Sequence, residues 1–261
     1  MGLTLTWLSI VILITLAGLF LKTFELSFDQ LWAIVSSRRT LHALQVSFGL
    51  AFAAALVNLV MGTIIVWALV RYRFPGRRLF DAIVDVPFAL PTAVAGVALT
   101  SLFAQNGWLG APLAELGVKV AFTPIGIFVA MIFIGIPFVV RTVQPVLIEL
   151  DVEIEEAAAS LGASRWHTIW RVILPSLIPA LLTGFALAFA RAVGEYGSVI
   201  FIAGNLPNVS EIAPLLIVIR LSEFRYADAT AIAVVMLVAS FLIIFAVNRL
   251  QRFAQTRIPA H

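Results

Sequence analysis

Six long stretches of this chain contain no charged residue. They cover residues 3–21, 40–70, 86–114, 120–140, 172–190 and 229–248. A helix that crosses a bilayer needs about 20 mainly apolar residues, and each stretch meets or nearly meets that length. Six such stretches in one short chain make a large soluble helical core a poor alternative. We therefore predict six transmembrane helices.

The composition supports a membrane location. Hydrophobic residues make up 62% of the 261 residues and charged residues only 12%, which is about half the charge of a typical soluble domain. The absence of cysteine excludes a disulfide framework and a cysteine-ligated metal site. Because backbone polar groups find no water inside a bilayer, the spans should be helical. We place them near 3–22, 41–70, 82–104, 122–147, 176–203 and 227–250.

The basic residues predict how the chain lies in the membrane. The positive-inside rule assigns the side with more Lys and Arg to the cytoplasm. One side holds ten basic residues and the other six, which predicts that both termini are cytoplasmic. We interpret the net charge of +3 as loop charge and not as a nucleic-acid-binding surface. The ten residues are Arg71, Arg73, Arg77, Arg78, Arg141, Arg165, Arg171, Arg249, Arg252 and Arg257.

The stretch between the fourth and fifth spans, residues 149–175, reads ELDVEIEEAAASLGASRWHTIWRVILP. Asp151 is placed to cap a first short helix, whose clustered acids complement the positive end of its dipole. Gly162 is expected to stop that helix in a left-handed conformation. Ser164 is placed to cap a second helix, and Pro175 suits the first turn of the next span. We predict two short helices meeting at an angle, although these features alone fit an ordinary amphipathic loop equally well.

The spacing inside this stretch is more specific than its composition. Glu156-Ala157-Ala158 is followed after three residues by Gly162 and after nine more by Val172-Ile173-Leu174-Pro175. The pattern resembles the EAA loop of ATP-binding-cassette import permeases, with Val172 where isoleucine is usual, and we call residues 149–175 the EAA loop. In that family the loop docks on a separate ATPase subunit and transmits nucleotide-driven movement to the membrane helices. The resemblance assigns ATPase coupling to Glu156, Ala157, Ala158, Gly162, Ser164, Arg165 and Pro175.

The chain has no nucleotide-binding motif of its own. A Walker A loop requires a glycine followed directly by a lysine, and neither Lys22 nor Lys119, the only lysines, follows a glycine. We therefore predict a permease subunit that is not an enzyme and binds no cofactor or metal. ATP and Mg²⁺ would be held by a partner ATPase.

The fifth predicted span contains an ionisable pair. Arg191 and Glu195 lie four residues apart, so one helix face would carry both, and charges inside a span are costly and commonly functional. Gly194 and Gly197 lie beside them and permit close helix approach. We predict that these residues contribute to a translocation pathway. An ion pair that fixes helix packing and takes no part in transport would explain the same residues equally well.

The third predicted span contains two prolines four residues apart, Pro87 and Pro91, which must kink or break it. The broken ends of membrane helices can offer backbone N–H groups to an anion. Both prolines are therefore candidates for the translocation pathway, with a simple packing kink as the alternative.

Four longer stretches of the sequence make the resemblance more specific. They look like the T-type permease subunit of bacterial sulfate/thiosulfate importers, from about residue 41 to residue 252. Related molybdate/tungstate permeases share the FPG loop and the EAA loop. The resemblance implies an all-α type I importer permease fold in the bacterial inner membrane, with a cytoplasmic coupling helix in the EAA loop. The stretches are RYRFPGRRLFDAIVDVPFALPTAVAG, GIPFVVRTVQPVLIELD, FARAVGEYGSVIFIAGN and RLSEFRYADATAIA.

The same resemblance implies an assembly. The partners would be an ATPase dimer, a second homologous permease subunit, a periplasmic sulfate-binding protein and the lipid bilayer, with no nucleic acid. The external loops 104–121 and 204–226 would face the binding protein. Residues 1–34 are predicted to form an N-terminal transmembrane helix with an external linker, 35–255 the permease domain, and 256–261 a cytoplasmic tail.

Two other classes of function fit a membrane protein of this kind. A proton-driven secondary transporter would use Glu195 as a relay, but such folds often contain inverted repeats, and the chain shows none. A non-transporting membrane scaffold would carry no solute. Neither class gives the EAA loop a role.

Overall fold

The computed structural model describes residues 2–255, except for the side chains at 3–5, 15 and 250–255. Every regular element in this part of the chain is helical, as predicted. The predicted tail at 256–261 lies outside the described residues. The helices are α1 (Gly2–Phe24), α2 (Phe28–Val35), α3 (Arg38–Arg71), α4 (Arg77–Val84), α5 (Val86–Ala89), α6 (Thr92–Phe103), α7 (Gly110–Glu115), α8 (Pro124–Glu149), α9 (Val152–Ser160), α10 (Arg165–Thr168), α11 (Leu174–Val193), α12 (Val199–Ile202), α13 (Ala213–Ser222) and α14 (Tyr226–Gln255), with a π-helical turn at Ile169–Ile173.

Five helical segments in the described part of the chain are long and apolar enough to cross a bilayer. They overlap the first, second, fourth, fifth and sixth predicted spans, although the segment that overlaps the fifth begins at Arg165 and ends at Val193. The fourth of them joins α10, the π-helical turn and α11 without interruption. The five are Thr6–Phe24, Arg38–Arg71, Pro124–Glu149, Arg165–Val193 and Tyr226–Arg249.

The third predicted span, near 82–104, is not one helix. It is divided into α4, α5 and α6, and α6 is 12 residues long. Pro87 lies in the first turn of α5, Leu90 is extended, and Pro91 directly precedes α6. Because proline lacks an N–H and pushes the residue before it towards the extended region, no helix runs through these positions. The predicted break is confirmed.

The fifth predicted span, near 176–203, is interrupted as well. α11 ends at Val193, and Gly194 occupies its C-terminal cap. Residues 195–198 are not helical, and α12 begins at Val199. Glu195 therefore lies beyond the helix that carries Arg191, and the predicted shared helix face is wrong.

The core is formed where α3, α8 and α11 pack together. Val139 of α8 is fully buried between two glycines. A Cβ added at Gly62 of α3 would lie 2.8 Å from Val139 Cγ1, and one added at Gly184 of α11 would lie 3.0 Å from Val139 Cα. Small residues thus let the three backbones approach closely, which is how helices associate where the solvent is lipid.

The predicted external loop 204–226 combines exposed and buried residues. Residues 210–213 are buried, and α13 follows them. Arg39 donates to both carboxylate oxygens of Glu211, from Nε at 2.8 Å and from Nη2 at 2.6 Å. The Ala213 amide donates to Ser47 Oγ at 2.8 Å. These contacts hold the segment against the first half of α3, so its buried part cannot present a surface to a partner.

Candidate functional site

The EAA loop folds into the two short helices that its sequence predicts. Gly162, after α9, has a left-handed φ of +83°, and its amide donates to Ala159 O at 2.9 Å. Ser164 Oγ caps α10 by accepting from the His167 amide at 3.3 Å. Asp151 occupies the cap position of α9, but its side chain makes no capping hydrogen bond. The glycine stop and the Ser164 cap are confirmed, whereas the capping bond expected from Asp151 is wrong.

Pro175 joins the EAA loop to α11 within a continuous helical segment. The π-helical turn precedes α11, and the Leu174 amide donates to Ile169 O, five residues back. Proline has no N–H and cannot donate to Arg171 O, so the hydrogen-bond ladder shifts by one residue at this point. Pro175 lies in the first turn of α11, as predicted, and the helical segment continues from α10 into α11 without a flexible linker.

The surface of the EAA loop combines charged and apolar side chains. Leu161 is 89% exposed and Trp166 is 69% exposed, and the Trp166 and Trp170 rings meet edge to face with centroids 6.0 Å apart. Exposed apolar groups surrounded by charges are typical of a protein-binding surface. Ala158 is half-buried. The other residues that the resemblance assigns to α9 and α10 are all exposed, namely Glu156, Ala157, Gly162, Ser164 and Arg165.

An ion pair that the sequence analysis missed ties α9 to α3. Arg71, the last residue of α3, places Nη2 2.6 Å from Glu155 Oε1, and the same nitrogen donates to Leu150 O at 3.3 Å. Both side chains are largely buried. Arg71 and Glu155 lie far apart in sequence, so no local pattern pointed to this pairing.

A second missed cluster lies around Arg141 of α8. Its Nε and Nη2 donate to the two oxygens of Asp85 at 2.8 and 2.7 Å, and its Nη1 donates to Asp81 Oδ1 at 2.7 Å. Gln144 accepts from Arg141 at 2.5 Å and donates to Asp81 at 3.2 Å. The cluster fastens α4 and the break before α5 to α8. Two acids four residues apart beside a basic loop were the signal that could have revealed it.

Loss of the Asp81 carboxylate is expected to destabilise the permease in a pH-dependent way. Partial burial raises the pKa of Asp81, but hydrogen bonds from Arg141 and Gln144 outweigh it, and the pKa lies below its ordinary value. A carboxyl whose pKa is lowered by folding stabilises above its unfolded pKa, and this contribution is lost as the pH falls through the folded pKa.

The melting temperature in detergent should therefore be lower for Asp81→Asn than for the unmodified chain by a constant amount from pH 8 to pH 5. The difference should shrink only below about pH 4. A difference that already disappears between pH 6 and pH 5 would contradict this assignment.

Arg191 and Glu195 do meet, although they do not share a helix. Arg191 Nη1 donates to Glu195 Oε2. The other oxygen, Oε1, accepts from the Ser198 amide at 2.8 Å and from Ser198 Oγ at 2.9 Å. The Glu195 side chain is 2% exposed and that of Arg191 is 32% exposed. Glu195 thus holds the non-helical turn 194–198 and leaves part of the Arg191 guanidinium accessible.

The turn 194–198 packs against the start of α6. A Cβ added at Gly197 would collide with Thr92 Oγ1, whereas Gly194 meets only Ala190 O, at 4.0 Å. The close-approach role predicted from sequence is therefore supported for Gly197 and not for Gly194. Pro91 directly precedes α6 and so lies next to the turn 194–198. Pro87 lies in α5, which packs on α8. The break at Pro91 and the turn 194–198 therefore lie together beside the Arg191–Glu195 pair, whereas Pro87 does not.

Gly96→Ala is expected to destabilise the permease, because the α6 backbone lies against the turn. The added Cβ would come 2.5 Å from Ser198 O and 2.7 Å from Ser198 Cα, and backbone atoms cannot swing aside. Overpacking of this kind costs roughly 1–3 kcal/mol. Gly49→Ala is the matched control, since a Cβ there meets nothing within 4 Å. Thermal unfolding in detergent should show a lowered midpoint for Gly96→Ala and an unchanged midpoint for Gly49→Ala.

Comparison with known proteins identifies the family. Residues 59–259 match the family described as the inner membrane component of binding-protein-dependent transport systems. The chain belongs to this family. It is a multi-pass component of the inner membrane that acts as a transport permease and is not itself an enzyme.

Two relatives of this permease are both named sulfate transport system permease protein CysT. The protein from Synechococcus elongatus is 50% identical over 251 residues, which cover 96% of this chain and 90% of the relative. The protein from Escherichia coli (strain K12) is 48% identical over 261 residues, which cover 100% and 94%. The resemblance to sulfate permeases is therefore confirmed over nearly the whole chain.

Two solved structures share the fold of this permease. A chain of a bacterial ABC transporter involved in the import of the acidic polysaccharide alginate superposes with a TM-score of 0.80 at 18% identity, covering 95% of this chain and 92% of that one. A chain of the inward-facing MetNI methionine ABC transporter gives 0.62 at 19% identity, covering 88% and 99%. At such identities the likeness establishes the importer permease fold alone.

Proposed function

We propose that this permease carries sulfate, as the membrane subunit of an ATP-binding-cassette importer that receives the anion from a periplasmic binding protein. The observation that carries the proposal is 48–50% identity, over nearly the full length, to proteins named sulfate transport system permease. Thiosulfate shares the charge and the near-tetrahedral shape of sulfate and is the second expected solute. Molybdate and tungstate are the alternative solutes.

The permease crosses the membrane six times with both termini in the cytoplasm. Five crossings are the long helices, and the third is the discontinuous pair of α5 and α6. The apolar composition of α6 and its packing against the turn 194–198 support a crossing at this place. The basic loop 71–78 and the EAA loop then lie on the cytoplasmic side, which agrees with the positive-inside rule. Residues 35–255 form the permease domain.

The partners are an ATPase dimer and a second permease subunit of the same fold. ATP and Mg²⁺ are bound by the ATPase, on which the EAA loop docks. The exposed Leu161 and Trp166 supply an apolar centre for that contact, and Glu156 and Arg165 supply charges around it. Apolar groups inside a polar rim are the usual anatomy of a stable protein interface.

Closure of the ATPase dimer moves the EAA loop, and two connections pass that movement on. α10 continues through the π-helical turn into α11, so a displacement of α10 reaches the turn that holds Glu195. α9 is tied to α3 by the Arg71–Glu155 ion pair. Because α3 and α11 are two of the three core helices, the loop acts on the centre of the fold.

The anion passes near the breaks in the third and fifth crossings. Arg191 lowers the electrostatic cost of moving a dianion through this region, and Glu195 keeps Arg191 from trapping it. A permease must bind its solute weakly enough to release it, so a cation already paired with a buried carboxylate suits the task. Pro91 and Gly197 shape the break, and Gly194 ends α11.

The test is uptake by proteoliposomes that contain the permease with its ATPase, second permease and binding protein. Sulfate uptake should require ATP and survive a protonophore, and it should exceed molybdate uptake. Glu156→Lys should lower uptake at an unchanged level of assembled complex. Asp29→Lys, the same charge change at an exposed residue of α2, should leave uptake unchanged. Uptake that continues without ATP and collapses with the protonophore would instead support a secondary transporter.

A further inference from the structure

A cavity with a mixed charged and apolar lining lies between the EAA loop and the end of α3. Its volume is about 600 Å³, within the range of roughly 300–1,000 Å³ that small-ligand sites occupy. Trp67 and Arg71 of α3 line it. Arg73, in the connection between α3 and α4, and Arg77, the first residue of α4, also line it, as does Arg165 of α10. We call it the basic cavity. It is distinct from the Arg191–Glu195 pair, which does not line it.

Positive charge dominates the lining. Four guanidinium groups face two carboxylates, those of Glu155 and Glu156. Glu155 is already paired with Arg71 at 2.6 Å, which leaves Glu156 opposite three cations. Within the described part of the chain, the side chains of Arg73 and Arg165 form no hydrogen bond or ion pair. The cavity therefore concentrates cationic groups that the fold itself does not neutralise.

The buried Arg71–Glu155 pair is incompletely hydrogen-bonded. Arg71 Nη2 lies 2.6 Å from Glu155 Oε1 and donates to Leu150 O, but Arg71 Nε and Glu155 Oε1 are both buried without a hydrogen-bond partner among the described residues. A buried donor without an acceptor is costly. An oxyanion supplies several acceptor oxygens at once and forms strong charge-assisted hydrogen bonds with guanidinium groups.

We propose that the basic cavity binds a tetrahedral oxyanion group, held by Arg73 and Arg77. The group is the phosphate of an anionic phospholipid or a free inorganic anion. Trp67 and the exposed Tyr72 beside the cavity are residue types enriched at the membrane–water interface, where lipid headgroups lie. The proposal rests on the orientation given under Proposed function, which puts this end of α3 at the cytoplasmic surface.

A bound anion would link the EAA loop to the membrane helices. α3, α4, α9 and α10 all contribute to the lining, so one ligand contacts both sides of the coupling joint. It would act beside the Arg71–Glu155 pair and stiffen the same connection. We expect fewer ATP molecules hydrolysed per transported anion when the cavity is filled.

The test compares two double variants in the assembled transporter. Arg73→Gln/Arg77→Gln removes two cations that line the cavity. Arg78→Gln/Arg249→Gln removes two cations on the same side of the proposed topology that do not line it. Mass spectrometry of transporter released from nanodiscs counts retained phosphatidylglycerol and phosphatidylcholine. Titration calorimetry in phosphatidylcholine nanodiscs measures the affinity for inorganic phosphate.

Phosphatidylglycerol retention that falls about tenfold or more in the lining variant, but not in the control, assigns the cavity to a lipid headgroup. A phosphate affinity that falls by the same factor, without a lipid preference, assigns it to a free anion. If neither probe separates the two variants, the proposal is wrong. If the lining variant does not assemble, Arg73→Gln and Arg78→Gln are compared instead.

These readouts measure binding and need no transport. A transporter that binds the anion through these arginines but does not import sulfate would overturn only the proposed function. A sulfate importer in which both probes bind the lining and control variants equally would overturn only the basic-cavity site.

Discussion

Gly162→Val is expected to lower ATP-driven uptake by the assembled transporter about 5- to 150-fold. Gly162 has a φ of +83°, and a β-branched residue adopts this left-handed conformation only at a cost of about 1 to 3 kcal/mol. A Cβ there would meet nothing within 4 Å. The substitution therefore changes the angle between α9 and α10 without creating a clash, and uptake measured at an equal amount of assembled complex reports that change.

Gly117 provides a matched control for this substitution. Its φ is +78°, and an added Cβ again meets nothing within 4 Å, but it lies between α7 and α8, far along the chain from the EAA loop. Gly117→Val should carry a similar backbone strain. With the binding protein in excess, so that docking on the external loop 104–121 does not limit the rate, its uptake should stay within about twofold of the unmodified transporter. Gly162→Asn should fall between the two, because asparagine tolerates positive φ. Unchanged uptake by Gly162→Val would remove this turn from the coupling mechanism.

Arg191→Ala is expected to destabilise the permease by about 3 to 5 kcal/mol. The variant leaves the Glu195 carboxylate, 2% exposed, without its cation. The two Ser198 hydrogen bonds satisfy one oxygen only. Lys22→Ala is the control, since Lys22 and Glu25 form an exposed pair whose loss should cost under about 1 kcal/mol. Unfolding in detergent, followed by helical circular dichroism, measures both.

Adding Glu195→Gln to Arg191→Ala separates stability from transport. The double variant has no unpaired buried charge and keeps an oxygen that can accept from Ser198, so most of the lost stability should return. Uptake should nevertheless stay about tenfold lower, because the pathway lacks its cation. Recovered stability together with full uptake would mean that the pair only fixes helix packing.

Local patterns in the sequence predicted the structural elements that depend only on neighbouring residues. Uncharged length predicted the five long helices, and proline chemistry predicted the break at Pro91. The glycine at 162 and the serine at 164 predicted where α9 stops and α10 starts. Each of these outcomes depends on backbone conformation or on hydrophobic length within one turn or one span, so no distant residue was needed to infer it.

Predictions from the sequence were wrong or incomplete where a side chain contacts a residue other than the one expected, or makes no expected local contact. Glu195 was expected on the helix of Arg191, but its bonds to Ser198 stabilise a turn after Gly194. The contacts by which Arg39 and Ser47 hold the centre of the loop 204–226 against α3 were not inferred from the sequence. Asp151 stands where a cap is expected but forms no capping hydrogen bond.

From the order of residues alone, one can infer a helical membrane permease, the break at Pro91 and the bent loop that resembles a coupling element. Which charges meet could not be inferred, because Arg141 reaches Asp81 and Asp85, and Arg71 reaches Glu155, across dozens of residues of chain. Those pairings depend on how α3, α8 and α11 pack through Gly62, Val139 and Gly184. Packing of helices in three dimensions sets these distances, and no periodicity along one helix encodes them.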